Sequence, residues 1–124
     1  MIEITTFGYL HGPAPKAMMT LDLRDFLRDP ARMSPRLLNM DGRDEEVRQV
    51  VLGTPGAGTT LQAAAIFVMG IPEARGPVTV AIGCAGGKHR AAAMGGMLAE
   101  ILTSSRLSVN LVHRDAHHPR VLKP

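Results

Sequence analysis

At 124 residues, with 45% apolar and 20% charged residues, the chain has the size and balance of one ordinary soluble globular domain, long enough to close a hydrophobic core without cross-links. A single cysteine excludes a disulfide framework and suits a reducing compartment. No window approaches the roughly 18 apolar residues of a membrane span, and residues 1–9 carry no basic stretch followed by a long apolar run, so a cytoplasmic protein with no membrane partner is expected. The net charge of +3 is unevenly spread: residues 78–124 hold 6 of the 14 Lys and Arg, 2 of the 11 Asp and Glu, and four of the five His. That basic third suits an anionic partner as well as it suits a merely basic surface. Phe7, Tyr9, Phe26 and Phe67 are too few for a single-strand stacking platform.

In chain order, Ile2 to Phe7 is β-branched and bounded by Gly8 and Gly12-Pro13, which predicts a first strand. Met18 to Leu23 predicts a second, followed by a loop punctuated by Pro30 and Pro35. Asp44-Glu45-Glu46 opens a helix that ends at Gly53. Thr59 or Thr60 is expected to cap the next helix, which runs to about Gly70. It is apolar on nearly every face and is therefore expected to be well buried. Val78 to Ile82 is a continuous apolar run, the pattern of a strand covered on both faces. From His89 to about Ser104, apolar residues recur at helical spacing. Gly95-Gly96 inside this helix points to close helix–sheet contact, or to a break. Ser108 to His113 completes the strands. The expected fold class is α/β: a single open, mostly parallel sheet of about four strands flanked by helices, with residues 1–115 as the domain and 116–124 as a basic C-terminal tail.

Between the third strand and the last helix lies Gly83-Cys84-Ala85-Gly86-Gly87-Lys88-His89-Arg90. Glycines let a backbone turn sharply and aim several N–H groups inward. The helix that starts there adds the positive end of its dipole, and Lys88 and Arg90 add full charges, the latter able to fork onto a phosphate. These eight residues, with His113 and Arg114, are the candidate anion-binding set. In an open parallel sheet ligands sit beyond the carboxyl ends of the strands. There the chain places Tyr9 and His11, Asp22 and Arg24, Lys88 to Arg90, and His113-Arg114-Asp115.

Cys84-x5-Arg90 also matches the spacing of protein tyrosine phosphatases, in which a low-pKa thiolate attacks phosphorus while loop amides and Arg hold the oxygens. Gly83 stands where those enzymes usually have His, and Ala91 where they usually have Ser or Thr, so a Cys84/Arg90 phosphatase is the alternative reading and a non-enzymatic domain the leading one. Two further patterns are set aside. Gly53-x4-Gly58-Thr59-Thr60 lacks the Lys of a nucleotide phosphate loop and follows a helical rather than a strand pattern. His113-x3-His117-His118 has no Cys or acid pair at ligand spacing, so no metal is expected. No cofactor is expected either.

Taken in order, Phe7-Gly8-Tyr9 with Gly12, Asp22-x-Arg24, Met40-Asp41-Gly42-Arg43-Asp44, Val50-Val51-Leu52, Val80 through Arg90 and His113-Arg114-Asp115 resemble the C-terminal domain of the RNase adapter RapZ family. The likeness runs from about residue 2 to residue 115, and Gly-Cys-x-Gly-Gly-x-His-Arg is its specific part. The resemblance implies a bacterial, cytoplasmic regulatory domain that binds RNA, through Lys88, Arg90 and Arg114 here, and a phosphorylated amino sugar or nucleotide sugar at the glycine loop. It also implies assembly into homo-oligomers. Full-length relatives precede this domain with an ATP-binding domain. The expectation here is a stand-alone version, to which ATP hydrolysis does not carry over. Ala85 and Ala91 stand where the family usually has hydroxyl residues.

Overall fold

A computed structural model of the chain describes residues 1–27 and 35–118. In it β1 (Ile2–Gly8), β2 (Met19–Asp22), β3 (Val78–Cys84) and β4 (Val109–His113) form one sheet, with the helices α1 (Glu45–Leu52), α2 (Ala57–Met69) and α3 (Arg90–Ser104). Strand order is β2-β3-β1-β4 and every pairing is parallel. The α/β fold and parallel sheet read from the sequence are those observed.

The pleat explains the core. In β1, Ile2, Ile4 and Thr6 are buried while Glu3 is exposed, and successive side chains of a strand point to opposite faces. Ile2 and Ile4 join Val78, Val80 and Ile82 of β3 and Met94, Leu98 and Leu102 of α3 in one cluster. Helix α3 lies over β1, β3 and β4, and α1 and α2 pack against it.

Gly95 and Gly96 do not break α3, which continues through both. A Cβ on Gly95 would stand 2.2 Å from the Thr6 methyl, and one on Gly96 would stand 2.3 Å from Arg48 Nη2. The first glycine seats the helix on the sheet. The second leaves room for the Arg48 guanidinium, which bonds Glu100 and the Gly42 carbonyl.

Two expectations for α2 fail. The helix begins at Ala57 behind Gly56, which sits in the left-handed region at φ 91° and makes no side-chain cap; Thr60 Oγ1 instead donates back to the Gly56 carbonyl. Nor is the helix buried all round. Leu61, Ala64, Ala65 and Val68 face the core, but Ile66 is 68% exposed and Phe67 and Met69 lie open beside it. Helix α2 packs chiefly on α3, with a smaller contact to α1, and its outer apolar stripe stays exposed. The glycine pattern at 53–58 is the turn between α1 and α2, which meet at a 95° bend. The loop expected through Pro30 lies outside the described residues, as does the tail beyond His118. Among the described residues, no single helix is long and apolar enough to cross a membrane.

Candidate functional site

The four parallel strands deliver their carboxyl ends to one edge, and the loop Ala85–His89 joins β3 to α3 in the middle of it. Backbone contact on both sides sets the loop's shape. A Cβ on Gly8 would stand 2.3 Å from the Gly86 carbonyl carbon, and one on Gly87, whose φ is 72°, would stand 2.5 Å from the Gly8 nitrogen. Leu10 N–H donates to the Ala85 carbonyl at 2.9 Å, and Leu23 N–H donates to that of Gly83 at 2.8 Å. On the far side Gly42 N–H donates to the Lys88 carbonyl at 2.7 Å. A Cβ on Gly42 would stand 2.2 Å from Ala93 N, so the Asp41-Gly42-Arg43 turn lies directly on the first turn of α3.

Within this frame the sequence-predicted residues divide sharply. Cys84 is buried, and its Sγ accepts the N–H of Gly87 at 3.2 Å and of Ala91 at 3.4 Å. His89 is buried too, and its Nε2 lies 3.0 Å from the Leu37 carbonyl. A carbonyl only accepts, so Nε2 carries the proton. Arg90 is 7% exposed. Its Nη1 donates to the carbonyls of Leu23, Arg24 and Leu27 at 3.3, 3.1 and 2.9 Å, which ties the start of α3 to the chain leaving β2.

Arg114 is likewise occupied. Its Nε bonds Asp115 Oδ2 at 2.9 Å, Nη1 donates to the Pro13 carbonyl at 2.8 Å, and Nη2 donates to that of Gly8 at 3.3 Å. The buried Asp115 carboxylate also accepts Gly8 N–H at 2.8 Å. Lys88 differs: its Nζ has no hydrogen-bond or ion-pair partner among the described residues, and the N–H groups of Gly86 and Lys88 donate to no described acceptor. The loop therefore presents the Gly86 and Lys88 amides and the Lys88 ammonium beside the positive end of α3, while Arg90 Nη1 and Arg114 help build the frame.

Two flanks complete the edge. On one, Arg24 forks onto Asp22 through Nε and Nη2 and lies 3.6 Å over the Tyr9 ring, which in turn packs edge-on against Phe7. The Arg24 hydrogen bond holds the Asp22 carboxyl below its ordinary value. Burial, then the Asp22 charge, raises the Tyr9 hydroxyl. On the other flank His113 Nδ1 lies 2.7 Å from Thr6 Oγ1, and burial followed by the nearby Arg43 charge pushes the imidazole pKa down. Burial pushes Asp41 up, but the side-chain and backbone bonds from Arg43 together outweigh it and hold the carboxyl low.

His11 stacks on His118 at 4.6 Å, and His11 Nε2 is buried without a hydrogen-bond partner among the described residues. Ala116 is buried as well, so the chain stays on the body of the domain through His118. Among the described residues no group of three or more His, Cys, Asp or Glu is arranged to hold a metal ion. The sequence reading did not anticipate the framing role of Gly8, Gly42 and Asp115. The signal for the two glycines was their place at a strand end and in a turn, where backbone must approach backbone.

The RapZ C-terminal domain profile matches residues 1–117. Among curated proteins the chain is 39% identical over 118 residues to a nucleotide-binding protein of Thermobifida fusca, covering 91% of this chain and 40% of that one. It is 41% identical over 119 residues to a nucleotide-binding protein of Mycolicibacterium vanbaalenii, covering 92% and 37%. It is 34% identical over 118 residues to one from Oleidesulfovibrio alaskensis, covering 91% and 40%. The chain thus spans about 40% of the length of these relatives.

Proposed function

The chain belongs to the RapZ C-terminal domain family, and we propose that within it this domain is a non-enzymatic regulatory module whose glycine loop binds the phosphate of a small metabolite, a phosphorylated amino sugar or a nucleotide sugar, and whose basic edge binds RNA. The observation that carries this reading is that the Gly86 and Lys88 amides and the Lys88 ammonium, just before α3, have no partner among the described residues. N–H groups aimed from a helix start, with a cation beside them, favour a phosphate over a neutral ligand. The relatives' printed name, nucleotide-binding protein, supports a phosphorylated ligand.

Arg90 and Arg114 contribute differently from a pair of phosphate clamps. Each with its Nη1 on backbone carbonyls, they hold the loop in a conformation ready for an anion and add positive potential behind it. A polyanion is drawn to the same edge, so RNA and the small ligand compete there. Assembly into a homo-oligomer would multiply RNA affinity by avidity.

The test is a phosphate titration followed by amide chemical shifts. Shifts concentrated at Gly86 to Arg90 are expected; shifts scattered over the surface, or none, would refute the loop assignment. For the RNA arm, anisotropy with a structured RNA should show weaker binding in millimolar sugar phosphate and a steep fall with salt. An affinity indifferent to the sugar phosphate would separate the two surfaces.

A further inference from the structure

Tyr9, Arg24 and Asp22 form a layered stack that the phosphate reading leaves unused. The Arg24 guanidinium lies 3.6 Å over the Tyr9 ring. Asp22 holds it flat through Nε to Oδ1 at 3.0 Å and Nη2 to Oδ2 at 2.7 Å. That fork leaves Nη1 without a partner among the described residues, and 45% of the side chain is exposed. An arginine fixed at two nitrogens over an aromatic ring has lost most of its rotamer freedom before any ligand arrives, so little further ordering is needed to use its outer plane.

The stack is built onto the glycine loop from both ends. Tyr9 follows Gly8, whose backbone touches Gly86. Asp22 is in register with Gly83, Leu23 N–H donates to the Gly83 carbonyl, and the Arg24 carbonyl accepts Arg90 Nη1 at 3.1 Å. Plate and open amides are therefore parts of one rigid edge. The Asp22 carboxylate, kept ionised by Arg24, makes the plate itself unfavourable for a phosphate, which the loop takes instead. What suits the position is flat, polarisable and neutral, with an acceptor at its edge for Nη1.

We propose that the outer face of the Arg24 guanidinium is a base-stacking subsite, so that the ligand class of the loop is a nucleoside phosphate (a nucleotide or nucleotide sugar) in preference to a plain sugar phosphate. This rests on the loop's binding of phosphate. Guanidinium planes are established partners for stacked bases, and the single tyrosine behind the plane strengthens it as a cation–π backing. One plate serves one base, which fits a mononucleotide.

The experiment compares inorganic phosphate, ribose 5-phosphate and adenosine 5′-phosphate by NMR titration of the wild-type chain, Arg24→Lys and Arg24→Ala, reading the Gly86 and Lys88 amides and the Arg24 Nε–H. The nucleotide should bind about tenfold more tightly than ribose 5-phosphate, as one stacked base allows, and should move the Arg24 Nε–H resonance, which ribose 5-phosphate leaves in place. In both variants the ratio should fall to near one; Arg24→Lys keeps the charge and loses only the plane. Equal affinities in the wild type, or a nucleotide preference that survives in both variants, would overturn the subsite while leaving the loop assignment standing. If inorganic phosphate itself fails to move the Gly86 and Lys88 amides, the loop assignment falls and the subsite falls with it.

Discussion

Gly8 and Gly87 meet backbone to backbone: a Cβ on Gly87 would stand 2.5 Å from Gly8 N and 2.6 Å from the Phe7 carbonyl carbon. The end of β1 and the glycine loop are thus two halves of one surface, and neither half tolerates a side chain at the contact. Gly87→Ala adds a Cβ there and also strains a backbone held at φ 72°. A loss of about 3 kcal/mol is expected from the clash and the strain together. Urea denaturation would read it as a lowered midpoint at constant slope; a midpoint within error of wild type would show that the contact relaxes freely.

Arg90→Ala removes one buried donor from three carbonyls, those of Leu23, Arg24 and Leu27. Hydrogen bonds from a charged donor to buried acceptors are worth about 1.5–3 kcal/mol, so a destabilisation of that order is expected. It should be accompanied by faster amide exchange in residues 23–27. Were exchange there to stay as slow as in the wild type, the clamp would not be what orders this segment.

Cys84 is 2% exposed and its sulfur accepts two loop amides. Arg90 Nη1 is turned onto carbonyls, and on the non-enzymatic reading proposed above Cys84 is not a nucleophile in phosphoryl transfer. Aryl phosphates should show no turnover by wild type or by Cys84→Ser, and a thiol reagent should label the native chain at least tenfold more slowly than the urea-unfolded chain. Wild-type turnover abolished by Cys84→Ser would reverse this assignment.

Burial, then Arg43 and Arg48, depress the His113 pKa below its ordinary 6.5. The folded state therefore binds fewer protons at this site than the unfolded chain. Stability from this group is complete above about pH 6.5 and declines as pH falls below that value towards the folded pKa. His113→Gln should flatten the stability profile between about pH 7 and pH 5. An unchanged slope would assign that pH dependence to other groups. The carboxylates Asp22 and Asp41, held low beside Arg24 and Arg43, act in a separate window, losing their contribution only as pH falls through their depressed values.

The strands, the glycine loop and the long helix after it were legible from the chain because each is written locally. An apolar run of β-branched residues, glycines without a Cβ, and apolar residues at helical spacing all act over a few neighbours. Of the two readings the Gly95-Gly96 pair allowed, close contact and a break, Gly95 meets the sheet at Thr6, while Gly96 makes room for Arg48. Tertiary structure alone decided which long-range partners these pieces meet. The strand order β2-β3-β1-β4 depends on pairings between segments far apart in sequence. The carbonyls that accept from Arg90 Nη1 lie 63 to 67 residues earlier in the chain, so a guanidinium that reads locally as a phosphate fork also ties distant backbone to the loop. Helix α2 shows the complementary limit. Its composition specifies an apolar surface all round, but burial is a property of neighbours, and the fold supplies them on one side only.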